Sequence, residues 1–343
     1  MRSNDGAVMT LSAVVLGCEG AALSPDEAAF FREADPWGFI LFARNVGAPD
    51  QLRRLTDDLR AAVGRDAAVL VDQEGGRVQR LRAPHWREFL PPLDHVAQAG
   101  TGAERSLWLR YRLIAAELRA VGIDADCAPV ADLAGPKTHP FLRNRCFGET
   151  PDVVIPAARA CAEGLLAGGV LPVMKHLPGH GRTVVDSHLD LPRADAPLDE
   201  LDATDFAPFR ALADLPMAMT AHIVVDAVDP SRPATASPNV IGLIRERIGF
   251  DGLLLTDDLS MEALDGTIGE RAGKAIAAGC DIALHCNGKR HEMEAVVAAA
   301  GRPTAQAAKR AEAALARRTV PDAIDTSLLE AELEALLKRP ANA

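Results

Sequence analysis

The sequence predicts an α/β protein built as one closed (β/α)8 barrel of the TIM type, with extra helices at its C-terminal end. Two observations lead there. Eight short apolar runs alternate with amphipathic stretches, and no composition break or linker divides them. The polar residues most in need of explanation then sit where those runs end, and in a parallel barrel all such ends open onto one face. A chain of 343 residues is long enough for one large barrel or for two ordinary domains. The expectation is a single catalytic domain over residues 1–343, its core at about 11–300 and its outer helices at 303–343. A doubly wound open sheet is the runner-up, because periodicity does not show closure. Against it, Gly17-Cys18-Glu19-Gly20 after the first run lacks the GxGxxG spacing of dinucleotide folds.

Taken in order, the strand candidates are 11–17, 38–43, 67–72, 124–130, 170–175, 217–224, 252–257 and 280–286. Helices are expected between them at 25–33, 49–63, 103–121, 151–167, 198–212, 239–248 and 269–278. Thr150 before Pro151 and Asp152 reads as an N-cap with proline at the first helical position, and Gly168-Gly169 supplies the stop. From Pro303 onward the chain is rich in Ala, Glu and Lys/Arg, which predicts two helices outside the barrel with their charges on a solvated face.

The balance of 37 Lys+Arg against 48 Asp+Glu gives a net charge of −11. That disfavours nucleic acid or an anionic membrane as the main partner, while leaving room for a local basic pocket. No stretch approaches the roughly 20 apolar residues needed to span a bilayer. The opening Met1-Arg2-Ser3-Asn4-Asp5-Gly6 is polar and offers no secretory apolar run, so a cytoplasmic protein is expected. Six cysteines, at 18, 127, 146, 161, 280 and 286, show no CxxC spacing. They read as small core residues in a reducing compartment rather than as zinc ligands or a disulfide framework.

Three segments carry chemistry. Lys175-His176-Leu177-Pro178-Gly179-His180-Gly181 continues directly into Arg182-Thr183-Val184-Val185-Asp186-Ser187-His188. Within fourteen residues it provides a lysine, three histidines, an aspartate and two glycine hinges, suited to gripping a polar ligand and moving a proton. Two residues apart in an extended loop, Asp186 and His188 can meet; the carboxylate would fix the imidazole tautomer and make His188 an acid/base near neutral pH. A loop salt bridge without catalytic duty is the alternative, and a metal set of His176, His180, Asp186 and His188 is a minor one. The second segment, Thr256-Asp257-Asp258-Leu259-Ser260-Met261, follows the seventh run. One aspartate can N-cap the next helix while the other works, since adjacent strand residues face opposite ways. With Arg145 and Lys175 nearby, the working one would stay ionised, as a nucleophile must. The third, Asp72-Gln73-Glu74-Gly75-Gly76-Arg77-Val78-Gln79-Arg80, couples a strand-end acid to a Gly-Gly turn and two arginines, a combination that suits hydroxyl-rich ligands or else forms an exposed ion pair.

These segments, with GFILFARNV, MTAHIVV and GFDGLLLTDDLSM, resemble in content and order the diagnostic motifs of family 3 glycoside hydrolases, over about Leu11 to Asn287. The similarity is to the bacterial β-N-acetylglucosaminidase branch of peptidoglycan recycling. It implies a (β/α)8 barrel, a retaining reaction, no cofactor and no metal, and muropeptides containing 1,6-anhydro-N-acetylmuramic acid as cytoplasmic substrates. Residue by residue it implies Asp257 as nucleophile, His188 as acid/base and Asp186 as the acid that partners it. Asp72, Arg80, Arg145, Lys175 and His176 fall on sugar-binding positions. Cys146 stands where the family more often has serine, which bears on the shape of the pocket. The loop carrying His188 is expected to move. Attack by the substrate's own acetamido group, a phosphorylase or glycosidase of another specificity, and a non-hydrolytic sugar-binding barrel remain as alternatives.

Overall fold

The computed structural model describes residues 11–183 and 191–338. Eight strands form the barrel: β1 (Ser12–Gly17), β2 (Pro36–Leu41), β3 (Ala68–Val71), β4 (Ala125–Asp126), β5 (Leu171–Leu177), β6 (Met217–Thr220), β7 (Leu253–Asp258) and β8 (Ile282–His285). They run β1 to β8 in chain order around the barrel, and β8 closes onto β1 through Val14–Ala283, Val15–Leu284 and Leu16–His285. All neighbours are parallel. The predicted closed barrel is therefore observed and the open sheet is excluded. Its strands are buried on both faces, which is why they read as continuous apolar runs rather than as alternating ones.

The helix ends follow local chemistry. Ser24 Oγ accepts from Glu27 N at the start of Pro25–Ala34, and Thr267 and Glu270 cap Ile268–Ala278 reciprocally before Gly279 closes it at φ 111°. The helix Pro151–Ala167 has its predicted bounds, although the Thr150 hydroxyl makes no capping bond. The expected helix 198–212 is broken into Leu198–Ala203 and Ala207–Ala211. Between them the Thr204 hydroxyl lies 2.6 Å from Glu200 O and 2.7 Å from Asp205 Oδ2, while Arg182 Nε holds the same carboxylate at 2.6 Å. These side-chain bonds compete with helix propagation. The expected strand 124–130 pairs regularly only at Ala125–Asp126, with one further bridge from Val130 to Lys175. Pro129, which has no N–H, interrupts the ladder.

The two C-terminal helices, Ala305–Ala316 and Thr326–Lys338, form as expected, and charges such as Glu332, Glu334 and Lys338 lie on a solvated face, but two arginines of the segment turn inward. Arg310 reaches Asp281 Oδ1 at 3.1 Å, and Arg318, just after the first helix, reaches Asp124 Oδ2 at 2.5 Å. Each aspartate lies immediately before a barrel strand and also accepts a backbone N–H from the preceding strand: Leu254 N to Asp281 at 2.9 Å, Val69 N to Asp124 at 2.7 Å. Arg245 and Arg60 complete the two clusters. Such acids at the N-terminal rim need cations, since a buried lone carboxylate is costly, and the tail supplies them. Farther along, Glu330 bonds Arg87 twice and Glu332 bonds Arg105 twice, while Leu333 packs with Leu109 and Leu113.

All six cysteines are free and buried. No helix among the described residues is long and apolar enough to cross a membrane. The rim clusters generate a prediction. Arg318→Met leaves Asp124 with one guanidinium fewer and should lower unfolding stability by about 1–3 kcal/mol, with kcat/KM unchanged. Urea denaturation alongside steady-state kinetics measures both; an unchanged midpoint would show that the contact contributes nothing.

Candidate active site

The C-terminal ends of the strands converge on a cavity of about 160 Å³. It is lined by Asp72, Arg80, Arg145, Lys175, His176, His180 and Asp257, with Phe42, Phe141 and Met219 among its apolar walls. This is small beside the roughly 300–1,000 Å³ of pockets that take drug-sized ligands, and it suits a single sugar ring. A cavity of about 430 Å³ opens elsewhere, between residues 231–238 and the helix Ile268–Ala278. Arg271 there is committed to the carbonyls of Leu259, Met261 and Gly266, and among the described residues the cavity gathers no comparable set of acids and bases.

After β3 the chain folds into a tight hairpin, Gln73–Gly75 against Val78–Gln79. Its turn requires glycine: Gly75 has φ 98°, and a Cβ there would lie 1.8 Å from Arg110 Nη2. Gln73 accepts from the backbone N–H groups of Arg80 and Leu81, while Tyr111 Oη and the buried Arg110 donate to Glu74 O. This fixes Asp72, Glu74 and Arg80 relative to one another. Glu74 takes a bidentate bond from Arg145, both contacts at 2.8 Å, and sits 2.6 Å from Lys175 Nζ. Lys175 also donates to Asp72 Oδ1 at 2.9 Å, and Arg80 donates to Asp72 Oδ2 at 2.8 Å. Burial pushes the Glu74 carboxyl up, but Arg145 and Lys175 outweigh it and bring its pKa down to about 2. Asp72 is likewise driven well below the usual range by Lys175 and Arg80 against the effect of burial. Burial lowers the Lys175 ammonium, yet Asp72 and Glu74 hold it above its ordinary value.

His176 follows Lys175 on β5, and the peptide bond joining them is cis. Its Nδ1 lies 2.7 Å from Asp132 Oδ2, so the ring donates there and turns Nε2 towards Arg145 Nη2 at 3.4 Å. The other oxygen of Asp132 accepts from His180 N at 2.7 Å. One buried carboxylate thus orients two histidines.

At the end of β7 the two aspartates differ in their bonding. Asp258 also borders the cavity, but its carboxylate accepts from Ser260 N, Ser260 Oγ and Cys286 N. Asp257 lines the pocket and accepts from the N–H of Asp258 at 2.8 Å. Burial raises its carboxyl, but His176 and His222, that N–H and Lys175 lower it further, so it is ionised at neutral pH. His222 Nε2 donates to Asp258 O at 2.9 Å and anchors this backbone.

Of the residues singled out in the sequence, Asp72, Arg80, Arg145, Lys175, His176 and Asp257 are brought together here. Asp186 and His188 lie outside the described residues. The alternative of an exposed ion pair at Asp72 and Arg80 is corrected, since both side chains are mostly buried. Cys146 is absent from the pocket lining; it packs with Val130, Ala134 and Leu142 behind the wall. Glu74, Asp132 and the anchoring role of His222 were not foreseen. Glu74 stood inside a quoted motif and was passed over for its neighbours, and nothing near Asp132 in the sequence hints at a histidine partner more than forty residues away.

The depressed Glu74 value sets a pH signature. The unfolded carboxyl titrates near 4.5 and the folded one near 2, so the stabilisation is complete above pH 4.5 and is lost as pH falls towards 2. Urea midpoints of the wild type should drop steeply across that window. Those of Glu74→Gln, lower at neutral pH, should drop less; parallel curves would contradict the assignment.

A family model described as the glycosyl hydrolase family 3 N-terminal domain matches residues 20–317. A β-hexosaminidase from Methylococcus capsulatus is 43% identical over 279 residues, 78% of this chain and 80% of its own. One from Alkalilimnicola ehrlichii is 40% identical over 290 residues, covering 81% and 82%. Among solved structures, NagZ from Neisseria gonorrhoeae superimposes with a TM-score of 0.81 at 32% identity, over 97% of this chain and 98% of that one. The same gonococcal protein has been solved in complex with N-trifluoroacetyl-D-glucosamine. On this evidence the chain belongs to glycosyl hydrolase family 3 and is a glycoside hydrolase.

Proposed function

We propose that the enzyme is a retaining exo-β-N-acetylglucosaminidase that removes terminal β-linked N-acetylglucosamine from muropeptides in the cytoplasm, the barrel and its outer helices forming one catalytic unit. The observation that carries the reading is Asp257: an ionised carboxylate lining a sugar-sized pocket, held below its ordinary pKa although burial opposes this. The β-hexosaminidase names of the relatives and the amino-sugar complex of the gonococcal structure support an acetamido sugar. The 1,6-anhydro-N-acetylmuramic acid side of the substrate rests on the sequence resemblance.

In the first step an Asp257 oxygen attacks the anomeric carbon as the bond to the leaving oxygen breaks, and His188 protonates that oxygen. In the second step water, deprotonated by His188, displaces Asp257 and frees the sugar with its original configuration. Asp186 orients His188 and stabilises its protonated form. Because a histidine takes the place of the second carboxylate, the usual separation of about 5–5.5 Å between carboxyls does not apply. Asp72, Arg80, Lys175, Arg145 and His176 hold the ring by its hydroxyls, and their mutual bonds keep them in place before the sugar arrives. Assistance by the substrate's acetamido group would want both aspartates facing the sugar, whereas both oxygens of Asp258 are engaged by Ser260 and Cys286.

The test is release of p-nitrophenol from its β-N-acetylglucosaminide, with the β-glucoside alongside. Strong activity on the acetamido sugar is expected, with Asp257→Ala lowering kcat/KM by about 10³-fold or more. No turnover of either sugar by folded enzyme would overturn the reading. His188→Ala should cost about 10²–10⁴-fold on a poor leaving group and much less on an activated aryl one; equal losses on both would remove His188 from the acid's role.

A further inference from the structure

One side chain of the pocket is used by none of these steps. His180 is 93% buried, its relative exposure being 7%, and it lines the cavity beside His176, ring centroids 5.8 Å apart. Its Nε2 is fully buried and has no hydrogen-bond partner among the described residues. The other ring nitrogen fixes what this atom is. Nδ1 lies 3.0 Å from Thr183 Oγ1, and that hydroxyl lies 3.0 Å from the carbonyl of His180 itself. A hydroxyl has one proton and a carbonyl only accepts, so both contacts are satisfied when Thr183 donates to the carbonyl and accepts from Nδ1–H. The ring proton is therefore on Nδ1, and Nε2 presents a bare lone pair. Burial, reinforced by His176, brings the His180 pKa down to about 4, so the ring is neutral at neutral pH. Among the described residues the pocket thus contains a neutral acceptor left unanswered. Buried polar atoms in folded proteins are nearly always paired, and an orphan at a binding site marks the place for a ligand's donor.

The position selects the donor. His180 lines the same cavity as Asp257 and packs against His176, while Asp72, Arg80 and Lys175 are bonded to one another. In the reading above Asp257 faces the anomeric carbon, so a donor on the adjoining C2 enters the cavity that His180 and Asp257 share. In an N-acetylhexosamine the C2 substituent carries one donor, its amide N–H. We infer that His180 Nε2 accepts a hydrogen bond from the acetamido N–H of the bound sugar, making His180 a specificity-determining residue for 2-acetamido sugars. This rests on the functional reading above and adds to it the group that reads the amide. Unlike a carboxylate, a neutral imidazole adds no further negative charge beside the ionised Asp257.

The experiment compares wild type, His180→Leu and His180→Gln on the p-nitrophenyl 2-acetamido-2-deoxy-β-glucoside and on the 2-deoxy-β-glucoside, which has no donor at C2. His180→Leu should lower kcat/KM for the acetamido sugar by about tenfold or more, and for the 2-deoxy sugar by less than about threefold. His180→Gln, whose amide oxygen can accept, should recover most of the loss. Equal losses on both sugars would overturn the inference and leave His180 a purely structural group. A wild type inactive on the acetamido sugar would instead sink the functional reading. Because the leucine variant could fail to fold, the wild type is also titrated with N-acetylglucosamine under ¹⁵N NMR. The Nε2 resonance should move upfield as its lone pair is engaged, and should stay in place with 2-deoxyglucose; a resonance unmoved by saturating N-acetylglucosamine would overturn the inference as well.

Discussion

The pocket depends on one buried electrostatic arrangement, the bonding of Glu74 to Arg145 and Lys175. Removing any one of these groups would leave charge uncompensated in a place where water cannot answer it. Counted together, Asp72, Glu74 and Asp257 provide three carboxylates, and Arg80, Arg145 and Lys175 provide three cations. These six charges balance one another, while the further buried carboxylate of Asp132 is answered separately by His176 and the His180 N–H. The surroundings also explain why Asp257 stays ionised although burial favours its protonated form: the histidines, the Asp258 N–H on Oδ1 and Lys175 favour the charge, while Oδ2 is left to the substrate. A sugar brings no net charge, so binding it leaves this balance intact and replaces only water.

A similar device appears at the opposite end of the barrel with a different purpose. Asp124 and Asp281 sit just before β4 and β8, each bound to the preceding strand's backbone and to two arginines from outside the sheet. There the pairs tie the C-terminal segment to the barrel and touch nothing that reacts. At the strand C-termini the same chemistry is open to a cavity and becomes binding machinery. This separation of a stabilising face from a reacting face is general to parallel barrels, and here both faces use buried carboxylate–guanidinium pairs.

Much of this was legible in the sequence because parallel barrel strands are uniformly apolar until they end, so the first charged residues past each run mark the reacting face. Asp72, Lys175, His176 and Asp257 stand out in this way. Arg80 and Arg145 were noticed as cations near the acids, but their sugar-binding role needed the resemblance, since no periodicity marks residues on long loops. What escaped was pairwise and distant. Glu74 depends on an arginine 71 positions away, and Asp132 on a histidine 44 positions away. The inward turn of Arg310 and Arg318 escaped because composition does not separate a cation that answers a barrel acid from one on an exposed helix face. The break at Thr204 and Asp205 was invisible for a similar reason: Arg182, which holds Asp205 and so helps end the helix, lies 23 residues upstream.

The account turns on Asp257 as the carboxylate that the pocket keeps ionised for attack. Incubation with 2-acetamido-2-deoxy-5-fluoro-β-glucosyl fluoride, followed by proteolysis and tandem mass spectrometry, addresses it directly, because the fluorine at C5 slows release of a covalent glycosyl-enzyme. The account predicts one sugar per chain, attached at Asp257 and chased off by an acceptor. A label on Asp258 or another carboxylate, or normal turnover that never yields a covalent species, would contradict it.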